Sequence, residues 1–191
     1  MQIGLFFGSF NPIHVGHTVL ANYMASFTDL EQVWFVVSPH NPLKEKASLL
    51  NQNQRLHMVN LAIEDNPLFK SSNIEFGLPQ PSYTVNTLAH LHEKYPQHKF
   101  SLIMGEDNIQ SFTKWKNYEE ILKNYFIYVY PRPGCDSGEF KTHPHLVFTE
   151  APLMDISSTF IRKAIKDKKN VSCFMPQKVW DYCDEMSFYK K

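Results

Sequence analysis

The chain predicts an α/β fold in which a parallel sheet is covered by helices on both faces, and three observations predict it. Apolar runs at Ile3–Phe7, Val33–Val37, Phe100–Met104 and Tyr125–Tyr130 have the length and continuity of strands buried on both sides. Segments with helical spacing of apolar residues stand between them, so strand and helix alternate along the chain. Gly, Ser or Pro closes each run, at Gly8-Ser9, Ser38-Pro39, Gly105 and Pro131.

The elements follow in order. The stretch from about Val15 to Phe27 reads as a helix, and Asn41–Leu50 as a polar loop. Leu56, Val59, Ala62 and Ile63 give Arg55–Ile63 a helical period, with Arg55 read as an exposed helix arginine. Asn73–Phe76 reads as a strand. Thr84 is placed as the N-cap of a helix carrying Val85, Leu88 and Leu91 on one face and ended by Pro96. Tyr118–Leu122 reads as a short helix, Pro131–Pro144 as a long loop and Leu146–Phe148 as a short strand, and Ser158–Lys166 and Gln177–Met186 as closing helices. Ligands bind beyond the carboxyl ends of such strands, so the loops after Phe7, Val37 and Met104 should share one crevice.

Composition narrows the function. A length of 191 residues suits one domain spanning 1–191, with the helices from about 157 onward packing on the sheet, and 43% hydrophobic residues exclude wholesale disorder. Lys+Arg and Asp+Glu balance at 19 each, which argues against a general nucleic-acid binder. Cys135, Cys173 and Cys183 form no CxxC pair, pointing to reduced thiols and a cytoplasmic setting. The N-terminus lacks a basic region and reads as a strand, and no apolar run reaches the length of a membrane span. Oligomeric state is left open, a homo-oligomer included.

The segment Gly8-Ser9-Phe10-Asn11-Pro12-Ile13-His14-Val15-Gly16-His17 follows the first strand and opens the first helix. Gly8 allows close backbone approach. His14 and His17, three apart, share a face if both lie in the first helical turn. That turn offers free N–H groups and the positive end of the helix dipole, a natural phosphate site where two imidazoles can add donors. Fixed donors aimed at phosphate oxygens lower the barrier to phosphoryl-group transfer. The string is neither a Walker loop nor GxGxxG. A plain strand-to-helix turn with histidine caps is the bland alternative for either histidine alone. Far down the chain, Asp155-Ile156-Ser157-Ser158-Thr159-Phe160-Ile161-Arg162 opens another helix, with Ser157 as N-cap and Ser158 and Arg162 on one face. Hydroxyls and a guanidinium there suit a polyphosphate.

The first string resembles the (H/T)xGH signature of the nucleotidyltransferase superfamily, in its GxFxPxHxGH form, and the second its ISSTxxR motif. The resemblance implies a Rossmann-like, doubly wound sheet. It implies that His14 and His17 contact ATP phosphates, with His17 stabilising the transition state at the α-phosphate. Gly8, Ser9, Phe10 and Gly16 would line the nucleotide, and Ile156, Ser157, Ser158 and Arg162 would meet its β- and γ-phosphates.

Over nearly the whole length the chain resembles bacterial nicotinate-nucleotide adenylyltransferases. Pro81-Ser82-Tyr83-Thr84-Val85 is similar to their PSYT segment, Met104-Gly105-Glu106-Asp107 with Lys114-Trp115 to their GxD…W pattern, and Arg132-Pro133-Gly134 to their RPG. The implied acceptor is nicotinate mononucleotide, held by Ser82, Tyr83, Thr84, Asp107, Trp115 and Arg132. Tyr83 and Trp115 could enclose a flat pyridine ring, and backbone N–H groups near Ser82–Thr84 its carboxylate. The family's PPHK-like run reads Asn41-Pro42-Leu43-Lys44 here, with Leu43 where His is common; Lys44 is the candidate for the acceptor phosphate, with Lys46 as substitute. Direct displacement needs no protein nucleophile. Mg²⁺ would be held mainly by the substrate phosphates, with no metal site of protein ligands. The remaining histidines show no metal-ligand pattern. Competing readings are another HxGH adenylyltransferase, taking nicotinamide mononucleotide or phosphopantetheine, and a noncatalytic nucleotide sensor.

Overall fold

Alternation along β1 (Gln2–Gly8) sets the architecture: Ile3 and Leu5 enter one apolar cluster and Phe6 enters another on the opposite face. β2 (Gln32–Val37) repeats the pattern, with Val33, Phe35 and Val37 on one side and Trp34 and Val36 on the other. The computed structural model describes residues 1–39 and 49–190. Its sheet is completed by β3 (Phe69–Ser72), β4 (Lys99–Gly105), β5 (Ile127–Tyr130) and β6 (Leu146–Phe148). The order is β3-β2-β1-β4-β5-β6, and every pairing is parallel.

Helices cover both faces. On one side α1 (Val15–Phe27), α2 (Gln52–Ile63), α6 (Ser158–Lys166) and α7 (Gln177–Glu185) bury Leu20, Met24, Met58, Val59, Ile161, Ile165 and Val179. On the other, α3 (Thr84–Lys94) and α5 (Tyr118–Asn124) bury Leu88, Leu91, Ile121 and Leu122, beside the short α4 (Glu106–Ile109). This is the doubly wound, Rossmann-like arrangement expected from the sequence. Among the described residues no helix is long and apolar enough to cross a membrane.

Two expectations need correction. Ile74–Gly77 is a 3-10 turn, and the strand lies just before it at β3. The sequence of β3, Phe-Lys-Ser-Ser, carries one apolar residue because it is an edge strand paired only with β2, so no hydrophobic pattern marks it. The N-cap of α3 is Tyr83, and Thr84 is its first helical residue.

The topology locates the crevice. From β1 the chain winds outward through β2 and β3, then returns past β1 to wind the other way through β4, β5 and β6. The loops after Gly8 and Gly105 leave neighbouring strands in opposite senses, which opens a cleft at their carboxyl ends.

Candidate active site

The loop after β1 leads into the two histidines that open α1. Phe10 sits at φ 45°, a left-handed conformation that costs a bulky residue about 1–2 kcal/mol. Packing offsets that cost: its ring is buried against Phe6, Phe35 and His17, with centroids 6.0, 5.6 and 5.1 Å away. A Cβ on Gly8 would lie 2.8 Å from that ring, so the glycine is required first by Phe10. A Cβ on Gly16 would lie 3.1 Å from the His14 imidazole, a tight contact that presses on the histidine pair.

His14 is the N-cap of α1 and His17 lies one turn in; their rings stack 3.7 Å apart. The His14 backbone N–H donates to His17 Nδ1 at 3.2 Å. A backbone amide can only donate, so neutral His17 carries its proton on Nε2. His14 is 5% exposed, and burial, with the Arg132 guanidinium second, pulls its pKa down to about 4. Its Nδ1 is buried and has no hydrogen-bond partner among the described residues. The loop therefore presents two stacked imidazoles at a helix N-terminus, with His14 held neutral by burial.

The second string is brought onto the first. Ser158 Oγ donates to the Pro12 carbonyl at 2.9 Å, and Arg162 Nη1 to the Asn11 carbonyl at 2.8 Å. Ser157 caps its own helix, accepting the Phe160 N–H at 3.1 Å, and Ile156 packs against the core. Ser9 contributes its carbonyl to the buried Arg55. Arg55 corrects an expectation. It is fully buried, and its guanidinium donates to the carbonyls of Leu50, Ser9, Ser38 and Pro39, so it ties together the ends of the loops after β1 and β2. Burial lowers its pKa to about 10, which leaves it charged at neutral pH.

Across the switch point, Asp107 in the first turn of α4 forms an ion pair with Arg132 Nε at 3.6 Å. Arg132 leaves the end of β5, donates to the Met154 carbonyl at 3.2 Å and lies over the Tyr130 ring. Trp115 is half-buried, its ring 5.3 Å from Phe112. Ser82 donates to Glu75 Oε2 at 3.1 Å, and Tyr83 receives the Lys116 ammonium over its ring at 4.5 Å. Thr84 opens α3. Lys44 and Lys46 lie outside the described residues.

Sequence reasoning missed Glu75, Asn11 and Tyr189. Glu75 is 2% exposed and accepts the hydroxyls of both Ser82 and Thr87, the latter at 2.8 Å. Only its place between Ile74 and Phe76 hinted at burial. Asn11 stands inside the motif string at a position that the GxFxPxHxGH form leaves open, and nothing in the sequence marks Tyr189.

Comparison with known proteins follows this geometry. A cytidylyltransferase-like family model matches residues 5–164. The chain is similar to probable nicotinate-nucleotide adenylyltransferases of Flavobacterium psychrophilum, 60% identical, and Flavobacterium johnsoniae, 59% identical, each over the full length of both chains. A solved structure with a similar fold is the Plasmodium falciparum nicotinic acid mononucleotide adenylyltransferase complexed with NaAD. Its TM-score is 0.82, at 17% identity over 99% of this chain and 97% of that one.

Proposed function

This chain belongs to the nicotinate-nucleotide adenylyltransferases, within the cytidylyltransferase-like family, and we propose from that premise how its residues carry out the reaction. The reaction transfers the adenylyl group of ATP to nicotinate mononucleotide, giving nicotinate adenine dinucleotide and pyrophosphate. A 5′-phosphate oxygen of the acceptor attacks the α-phosphorus of ATP. The new O–P bond forms as the bond to the β-phosphate's bridging oxygen breaks, and pyrophosphate leaves with the electron pair. The attacking oxygen is already ionised, so the protein's task is alignment and charge stabilisation.

The observation that carries the proposal is the meeting of the stacked His14–His17 pair with Ser158 and Arg162 on one short loop. His17 Nε2–H donates to the α-phosphate as charge builds there, and His14 joins it through the imidazole that burial keeps neutral. The loop backbone adds donors. Arg55 holds the Ser9 carbonyl and Ser158 the Pro12 carbonyl. In a trans peptide the N–H points opposite to the C=O, so the N–H groups of Phe10 and Ile13 are turned away from those partners. The Ser158 backbone N–H at the N-terminus of α6 and the remaining N–H groups of Arg162 meet the outer phosphates. Mg²⁺ travels with ATP and, when bound, neutralises charge on the leaving pyrophosphate. Among the described residues no three His, Cys, Asp or Glu side chains cluster to cage it, and Asp107, ion-paired with Arg132, is the candidate for an ion-bound water or the acceptor ribose.

The acceptor ring sits between Tyr83 and Trp115, its carboxylate at the N-terminus of α3, where the Lys116 charge over Tyr83 favours an anion over a neutral amide. The described cysteines are all unpaired, which suits a reducing cytoplasmic setting. An acceptor panel with ATP and Mg²⁺ tests the assignment. Pyrophosphate release should be at least about tenfold faster with nicotinate mononucleotide than with nicotinamide mononucleotide or phosphopantetheine. Preference for either competitor overturns the acceptor, and ATP binding without turnover on any of them overturns catalysis.

A further inference from the structure

The C-terminal tail reaches the donor loop. After α7 the chain turns back through Ser187 and Tyr189, both left-handed at φ 53° and 62°. Phe188 between them is buried against Tyr182. The Tyr189 hydroxyl then donates to Asn11 Oδ1 at 2.7 Å, across 178 positions of sequence. Burial raises the hydroxyl's pKa well above the ordinary tyrosine range, so it remains a donor.

Asn11 concentrates contacts that nothing in the reaction requires of it chemically. It is 3% exposed, its Oδ1 also accepts the Leu50 N–H at 3.3 Å, and its carbonyl holds Arg162. It follows Phe10 directly and precedes His14 by three residues. The loop backbone is therefore suspended from Arg55 at Ser9, Arg162 at Asn11 and Ser158 at Pro12. The Tyr189 contact is a different kind of tie: it fixes the Asn11 side chain, and so the rotation of the loop about those backbone anchors.

We propose that Tyr189 is a positioning residue for adenylyl transfer, acting through Asn11 to set His14 and His17 against the α-phosphate. Transfer of this type is sensitive to displacements of about 1 Å, and a net hydrogen bond of ordinary strength corresponds to a roughly tenfold effect. The proposal rests on the adenylyl-transfer reading above.

Tyr189→Phe, Asn11→Ala and the double variant, assayed by pyrophosphate release with both substrates varied, test it. Tyr189→Phe should lower kcat about 5- to 20-fold while both KM values stay within about threefold, in protein whose near-UV circular dichroism shows it folded. Adding it to Asn11→Ala should cost little more, because the hydroxyl acts through that side chain. A kcat within about twofold of wild type, even with a lowered unfolding midpoint, makes Tyr189 a structural brace and overturns the proposal. Independent, multiplying effects overturn it too. If Tyr189→Phe does not fold, Asn11→Ala with the tail intact tests the same bond, and unchanged kcat there is equally decisive. Wild-type turnover measured alongside separates the two claims: its absence fells the reaction assignment and the proposal with it, whereas normal wild-type turnover beside unaffected variants fells Tyr189 alone.

Discussion

In the loop after β1, Ser9, Asn11 and Pro12 are held by donors from α2, α6 and the C-terminal tail, 46 to 178 residues away in sequence. In the region proposed for the acceptor the main ties are shorter in range: Glu75 holds Ser82 and Thr87, seven and twelve residues on, and Asp107 meets Arg132. The proposed donor half is thus a tertiary construction sharing its supports with the core, whereas the proposed acceptor half is a set of short segments laid over it. Damage to the first should reach catalysis and folding together, and damage to the second should stay with one substrate.

The largest expected effect falls on the donor side. His17→Ala removes the Nε2–H donor and should lower kcat about 10²- to 10³-fold in folded protein, read by pyrophosphate release; near-normal turnover would remove His17 from the mechanism. Next comes the coupling of the donor site to stability. The folded pKa of His14, about 4, lies below the unfolded 6.5, so between those values the unfolded chain binds more protons. The associated stabilisation is fully present above pH 6.5 and is lost as pH falls toward 4. It amounts to about 3 kcal/mol, and denaturant unfolding of wild type against His14→Gln at pH 7 and pH 4 should show it. An equal pH response in both proteins would mean that His14 carries no such linkage. The smallest effect belongs to the acceptor side. Glu75→Gln should raise the KM for nicotinate mononucleotide about fivefold and leave the KM for ATP unchanged. Equal changes in both would erase the contrast between the halves.

The same contrast explains what could be read in advance. Buried parallel strands are written as apolar runs, so β1, β2, β4 and β5 were legible, while the polar edge strand β3 was not. The donor residues lie in two compact strings because a helix N-terminus gathers its phosphate donors within one turn, and such strings stand out. Supports placed by tertiary packing leave no local trace. Arg55 looked like a surface residue because a helical period of 3.6 does not say that strand-end carbonyls wait on its buried side. Glu75 was hidden for the same reason, since its partners arrive from a different element. Acceptor residues come singly from several loops, and only resemblance linked them.

The bond between Asn11 and Tyr189 also has a meaning in time. A chain emerges from the ribosome N-terminus first, so the histidine loop is exposed before Tyr189. The tether from Tyr189 to Asn11 spans 178 positions of sequence. The loop between β1 and α1 can therefore receive this tether only after those further residues have been made, long after Arg55 has become available to hold Ser9.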